Sequence, residues 1–182
     1  MGLDKDADNP GYGSPEDWGN HHERTPYGVV RSQCGGDTRT IMKECLEGAR
    51  GGRFVEIGVY GGASLLYMYD QCMRQGTEVV GVDPFEELTI FNGQHAHSQG
   101  ADVRQQARKA ALERRTHLER LIREHKLRIG LVKKASAEAA GRFEDNSISV
   151  LHIDGDHSYA GVARDLANYW PKVRSGGFVI ND

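Results

Sequence analysis

The sequence predicts an α/β protein: a doubly wound, mostly parallel sheet with helices on both faces. Three observations carry that reading. Short apolar runs rich in Val and Ile alternate with stretches of helical periodicity from residue 37 to residue 182, the pattern of right-handed crossovers between parallel strands. The runs are apolar on both alternating sets of positions, which suits strands covered on two faces. Four of them carry an acidic residue at or near their carboxyl ends: Glu56, Asp83, Asp154 and Asp182. In an open α/β sheet that edge is where ligands bind.

Length and composition set the frame. A chain of 182 residues, 38% hydrophobic and 27% charged, is expected to form one soluble domain with a real core. No apolar run approaches the roughly 20 residues of a membrane helix. The acidic start MGLDKDADNPGYGSPEDWG has no apolar region of a secretory signal. Cys34, Cys45 and Cys72 are widely spaced and odd in number, so they read as reduced thiols of a cytoplasmic protein. A net charge of −3 predicts no general affinity for nucleic acid. Residues 100–134 nevertheless hold eleven Lys and Arg against four Asp and Glu. That stretch is either a solvated helix face with i,i+4 pairs or a basic surface for an acidic substrate or partner.

Residues 1–36, rich in Gly, Pro, Asn and Asp, read as a flexible arm or loop, with Trp18, Tyr27, Val29 and Val30 able to dock on the domain. Within it the adjacent His21 and His22 read as a solvated polar pair. Asp37 or Thr38 can cap a helix to about Gly48, with Ile41, Met42, Cys45 and Leu46 on one face. The first strand, 53–60, leads into the stretch FVEIGVYGGAS and a helix from Ala63 to Gln75 with Leu65, Leu66, Met68, Tyr69 and Cys72 inward. A second strand, 78–83, ends at Asp83 before Pro84 and Phe85. Residues 86–100 form a long polar loop of the kind that often covers a site; His95 and His97 in it could meet substrate or solvent, with metal ligation as the alternative. A helix follows from Asp102 to about His125, its inward stripe being Val103, Ala107, Ala110, Ala111, Leu118, Leu121 and Ile122. Strand three is 126–133, a short helix 136–142, and strand four 148–154. The last helix, 159–173, turns Val162, Leu166 and Trp170 inward, and strand five is 178–180.

The strand ends carry the chemistry. Glu56, near the end of a buried strand, must be hydrogen-bonded or face a site, because burying a lone carboxylate costs too much. Gly58, Gly61 and Gly62 allow a tight turn, and Ser64 falls in the first helical turn. Asp83 stands where a Rossmann-type domain uses an acid to accept from a ribose diol; the alternative is a turn acid before Pro84. Phe85 could stack on a purine or pack in the core. The turn Gly58-Val-Tyr60-Gly61-Gly62 lacks the second glycine that admits a pyrophosphate in dinucleotide folds. An acid two positions before the first glycine suits a cationic ligand, and S-adenosylmethionine has an ammonium and a sulfonium where NAD has phosphates. His152, inside an apolar strand, reads as a core histidine.

VEIGVYGGAS, GVDPF, LHIDGDHSYAGVARDL and GGFVIND, in that order, resemble the class I S-adenosylmethionine-dependent methyltransferases. The likeness is greatest to the metal-dependent macrocin- and mycinamicin-type sugar O-methyltransferases, and cephalosporin hydroxylase-type proteins share the motif set. It spans residues 37–182 and implies an S-adenosylmethionine-binding domain there. It implies that Glu56, Gly58 and Ser64 hold the methionine part of the cofactor and Asp83 the ribose, with Tyr60, Gly61, Pro84, Phe85, Ser136 and Asp154 as further cofactor contacts. Asp154 and Asp182 would be ligands of a divalent ion, usually magnesium, and His157 the general base.

Elementary chemistry agrees. Magnesium favours a few carboxylates plus water, the ion would lower the pKa of a substrate hydroxyl, and a histidine side chain titrates near neutrality. Asp156 could orient His157 or join the metal shell. The resulting expectation is a magnesium-dependent O-methyltransferase acting on a hydroxyl of a small molecule such as a sugar or glycosylated metabolite. A hydroxylase-like relative or a non-catalytic nucleotide-binding module are the alternatives. Such folds continue past the fifth strand, so a C-terminal part is expected beyond Asp182; otherwise partner chains, as in a homo-oligomer, would cover an exposed edge.

Overall fold

The computed structural model describes residues 22–31, 36–86, 90–91, 94–95 and 101–181. Five parallel strands form the central sheet, and the elements follow in chain order. A hairpin comes first, β1 (His22–Thr25) and β2 (Gly28–Arg31), paired antiparallel with Thr25 opposite Gly28. Then come α1 (Gly36–Ala49), β3 (Gly52–Ile57), α2 (Ala63–Arg74) and β4 (Thr77–Val82). A two-residue pair, β5 (Ile90–Phe91) and β6 (Gln94–His95), precedes α3 (Ala101–Glu124). The chain continues with β7 (Ile129–Val132), α4 (Ser136–Ala139), β8 (Ile148–Ile153), α5 (Tyr159–Tyr169) and β9 (Val173–Asn181). Short 3₁₀ turns extend α4 and α5. Among the described residues, no helix is long and apolar enough to cross a membrane.

The central sheet runs β7-β4-β3-β8-β9, and its four pairings are all parallel. The chain therefore winds outward from β3 through β4 to β7, crosses back through α4, and winds the other way through β8 to β9. The strand order reverses between β3 and β8, and a crevice opens there above the carboxyl ends. Each face of the sheet has its own core. On one, α1, α2 and α3 bury Met42, Leu46, Leu65, Leu66, Met68, Cys72, Leu118 and Leu121. On the other, α4 and α5 bury Ala139, Phe143 and Tyr169 against Val55, Ile57, Val80 and Val82. Neighbouring residues of β3 serve opposite cores, Phe54 the first and Val55 the second, as the two-residue period of a strand requires.

Three elements differ from the sequence expectation. The stretch read as an arm contains the β1–β2 hairpin, whose Val30 is buried in the first core while Val29 is exposed; Trp18 and His21 lie outside the described residues. The hairpin is tied down by polar contacts that periodicity does not register. The Tyr67 hydroxyl donates to the Arg24 carbonyl at 2.6 Å, and His117 Nε2 lies 2.7 Å from the Val29 carbonyl. Second, the loop 86–100 carries the short β5–β6 pair, with His95 in β6 and His97 outside the described residues. Third, the most buried line of α5 is Gly161, Asp165 and Tyr169; of the residues predicted to face inward, Leu166 packs partly buried against the second core and Trp170 does not. Trp170 is 66% exposed. A glycine and an aspartate on the inner line concealed it from a hydropathy pattern.

Candidate functional site

The crevice at the strand reversal is a cleft of about 320 Å³. Gly58 and Tyr60 from the turn after β3, Asp83, Pro84 and Phe85 after β4, Ser136 at the start of α4, and Asp154 and His157 after β8 all line it. The sequence-derived candidates thus converge from four strand ends. Glu56, Gly61 and Ser64 do not line the cleft; they are buried beneath it. Asp182 lies outside the described residues. A larger hollow of about 670 Å³ sits between α3 and β7, lined by residues such as Glu119, Ile122, Arg123 and Lys133. It holds none of the strand-end acids, so the cleft is the chemically relevant space.

Gly58 has φ +89, a conformation that an L side chain adopts only with strain. A β-carbon there would lie 2.1 Å from the Asp154 carbonyl oxygen and 2.6 Å from the Gly155 Cα. The first glycine therefore admits the loop after β8, which is how Asp154 is drawn to the turn after β3. The Asp154 N–H completes the join by donating to the Ile57 carbonyl at 2.8 Å. Gly62, at φ +83, similarly receives Leu118 of α3, whose Cδ1 would be 2.5 Å from an added β-carbon.

Asp83 locks this turn to β4. Its Oδ2 accepts from the backbone N–H groups of Val59 and Tyr60, both at 2.9 Å, and its Oδ1 accepts from the Phe85 N–H at 2.5 Å. Tyr60 and Phe85 both hold left-handed backbone, φ +51 and +52, which is uncommon for aromatic residues. One carboxylate stabilises both. A carboxylate offers about four acceptor positions, so capacity for one ligand hydroxyl remains. Burial raises the Asp83 pKa, while the three N–H groups and Arg114 act to lower it. Arg114 of α3, which the sequence reading missed, stacks 4.1 Å from the Tyr60 ring centroid and lines the cleft. Its position one helical turn before Leu118 was the available signal.

Glu56 is fully buried. Its Oε1 accepts from the Ser64 hydroxyl and lies 2.9 Å from His152 Nδ1, so His152 has the core environment expected of it. Among the described residues, Glu56 Oε2 has no hydrogen-bond partner. Glu56, His152 and Asp154 each place one ligand atom within 4.8 Å of the others. That trio suits magnesium poorly, because the Glu56–His152 pair is sealed in the sheet and already hydrogen-bonded, whereas magnesium keeps waters and prefers open oxygen ligands. Asp154 fits better, since it lines the cleft with its side chain 19% exposed. His157 Nε2 lies 3.4 Å from Asp154 Oδ1, and its side chain is 53% exposed. Asp156 Oδ1 accepts from the Ser158 N–H at 3.0 Å, and the Ser158 hydroxyl in turn caps α5 through the Gly161 N–H.

Asp165 is the second residue the sequence reading missed. It lines the cleft yet is only 3% exposed. Burial raises its pKa above the ordinary 3.8; Asp156 adds to the rise, and Ser136 and Arg164 oppose it. The sign for stability follows. An acid whose folded pKa is raised contributes fully below its unfolded pKa, and that contribution is lost as pH rises through the folded value. Asp165→Asn should therefore melt at or above wild type at pH 7, and the advantage should vanish near pH 3.5. Thermal melts at the two pH values measure this, and a variant markedly less stable at pH 7 contradicts it.

Residues 55–182 match the family model described as a methyltransferase domain. The chain belongs to this family. Its fold is that of the class I S-adenosylmethionine-dependent methyltransferases, and solved structures share it. CalS11, a calicheamicin methyltransferase, superimposes with a TM-score of 0.57 at 18% identity, covering 80% of this chain and 62% of that one. Precorrin 8w decarboxylase from Methanobacterium thermoautotrophicum gives 0.54 at 15% identity, covering 84% and 64%. A putative caffeoyl-CoA O-methyltransferase from Staphylococcus aureus gives 0.50 at 14% identity, covering 83% and 59%. Among curated proteins, the uncharacterized protein y4gI of Sinorhizobium fredii is 28% identical over 131 residues. The match takes in 70% of this chain and 12% of that protein.

Proposed function

We propose that this domain is an S-adenosylmethionine-dependent O-methyltransferase that acts, with a divalent ion, on a hydroxyl of a small molecule such as a sugar or glycosylated metabolite. The observation that carries the reading is the His157–Asp154 pair, 3.4 Å apart, at the mouth of a cleft whose other wall is Asp83 and the glycine turn. When bound, S-adenosylmethionine supplies a sulfonium methyl; the methyl carbon passes to the substrate oxygen and the sulfur keeps the bonding electrons. His157 takes the proton of the hydroxyl, and Asp154 holds the imidazole in register for it. Asp154 and Asp182 would hold the ion, which lowers the pKa of a coordinated hydroxyl. Magnesium matches a carboxylate donor open to water.

Asp83 and the acceptor-rich cleft support the cofactor reading, since one acceptor position remains for a ribose hydroxyl. The turn also lacks the glycine that a pyrophosphate requires. Calorimetry tests this directly: S-adenosylhomocysteine should bind with a dissociation constant on the order of micromolar, and NAD should show no heat. Tight NAD binding without S-adenosylhomocysteine binding would overturn the proposal.

A further inference from the structure

We propose that the open edge of β7 and the basic hollow beside it receive an extended, acidic segment of a partner protein, which pairs with β7 as an added strand. β7 is the last strand on its side of the sheet, and among the described residues it pairs with β4 alone. The Val132 carbonyl accepts from the Asp83 N–H at 3.1 Å, so the backbone groups of Gly130 and Val132 turn toward β4. By the alternation of a strand, those of Ile129, Leu131 and Lys133 turn outward. The side chains of the same three residues line the hollow of about 670 Å³ between β7 and α3, as residues two apart share a face. A strand laid along this edge therefore meets backbone partners and a side-chain pocket together.

Chemistry names the occupant. The floor is aliphatic, built from Ile122, Leu127, Ile129 and Leu131, which suits the apolar side chains on one face of an added strand. The rim carries Arg123, Lys126 and Lys133 beside Glu119, a carboxylate already paired with Lys133 and Arg115. The stretch from Lys126 to Lys134, KLRIGLVKK, holds Lys126, Arg128, Lys133 and Lys134 and no acid. Cations flanking an edge protect it from indiscriminate pairing; here they leave it open to one sign of charge. Two copies joined edge to edge would set these cations against each other, and like charges directly opposite destabilise a strand pair. An acidic segment turns the same repulsion into attraction. A nucleic acid is the poorer match, since single strands stack on aromatic rings and, among the described residues, none that lines the hollow is aromatic.

The test reads fluorescence anisotropy on the full chain with a labelled short peptide, in which Val and Thr alternate between a pair of glutamates at each end. It should bind about tenfold tighter or more than its counterpart with lysines at the ends, and should weaken as salt is raised. Arg123→Glu combined with Lys126→Glu, both at exposed positions, should lower the affinity about tenfold. Two further probes carry N-methyl groups on alternate nitrogens, one on the odd set and one on the even. Only one edge of an added strand donates to β7, so one methylated probe should bind as the parent does and the other about tenfold more weakly. Charge alone does not produce that period of two, and the comparison uses the wild-type chain, so it stands even where the double variant folds poorly. Equal binding by the two methylated probes, no preference for glutamate over lysine, or no binding of the glutamate probe below about 1 mM overturns the proposal. So does tighter binding of an oligothymidylate of equal charge, which would assign the surface to nucleic acid, or a dimer of the chain that the glutamate probe dissociates. A peptide of residues 1–21 that competes better than the glutamate probe would assign the edge to the chain's own acidic start and overturn a partner. The hollow shares no lining residue with the cleft, so every one of these outcomes is independent of the cofactor reading.

Discussion

Gly58→Ala should lower the melting temperature by about 10 °C and abolish binding of S-adenosylhomocysteine. The added methyl would meet backbone on the facing loop, 2.1 Å from the Asp154 carbonyl oxygen, and backbone cannot rotate aside as a side-chain tip can. Forcing a group into packed structure costs about 1–3 kcal/mol, and a left-handed φ adds roughly 1–2 kcal/mol for a residue with a β-carbon. For a domain of this size each kcal/mol shifts the midpoint by about 2–4 °C. Gly141→Ala is the control, because an added β-carbon there meets nothing within 4 Å. If the two variants melt together, the close approach of β3 and the loop after β8 is not what holds the site.

His157→Ala should reduce the rate of methyl transfer by about 10²–10⁴, the usual contribution of a positioned acid–base group, while S-adenosylhomocysteine affinity stays near wild type. Asp154→Asn should lose a comparable factor and should also remove any sensitivity to EDTA. Single-turnover transfer to an accepted hydroxyl separates these effects from product release. Wild-type rates in His157→Ala across pH 6 to 8 would remove the base assignment, and persistence of transfer in EDTA would remove the ion. The two residues are 3.4 Å apart, so their losses should not add.

The sheet and its acidic edge were legible because they are written in local patterns. Phe54, Val55 and Ile57 announce a buried strand by themselves, and glycine after an acid announces a turn. What escaped depends on pairings distant in sequence. Asp165 looks like a solvent residue until Ser136, 29 positions earlier, is seen to receive it. Arg114 reads as one more charge on a basic helix until Tyr60 lies beneath it. The hairpin at 22–31 is too short for a periodic signal, and its hold comes from Tyr67 and His117 on other elements. Gly58 was recognised as special for the tight turn it allows; the close approach of the loop after β8 to its Cα is a pairing distant in sequence and was not visible.

Asp83 has a double duty that bears on how this protein can change over generations. The side chain proposed to grip a ribose also braces Tyr60 and Phe85 in backbone they would otherwise leave. A descendant that ceased to bind any nucleoside would still unravel its turn on losing that aspartate, so selection for a sound fold alone would preserve it. Aspartate at this position therefore records ancestry. His157, half-exposed beside Asp154, is where a lapse of catalysis would first leave its mark.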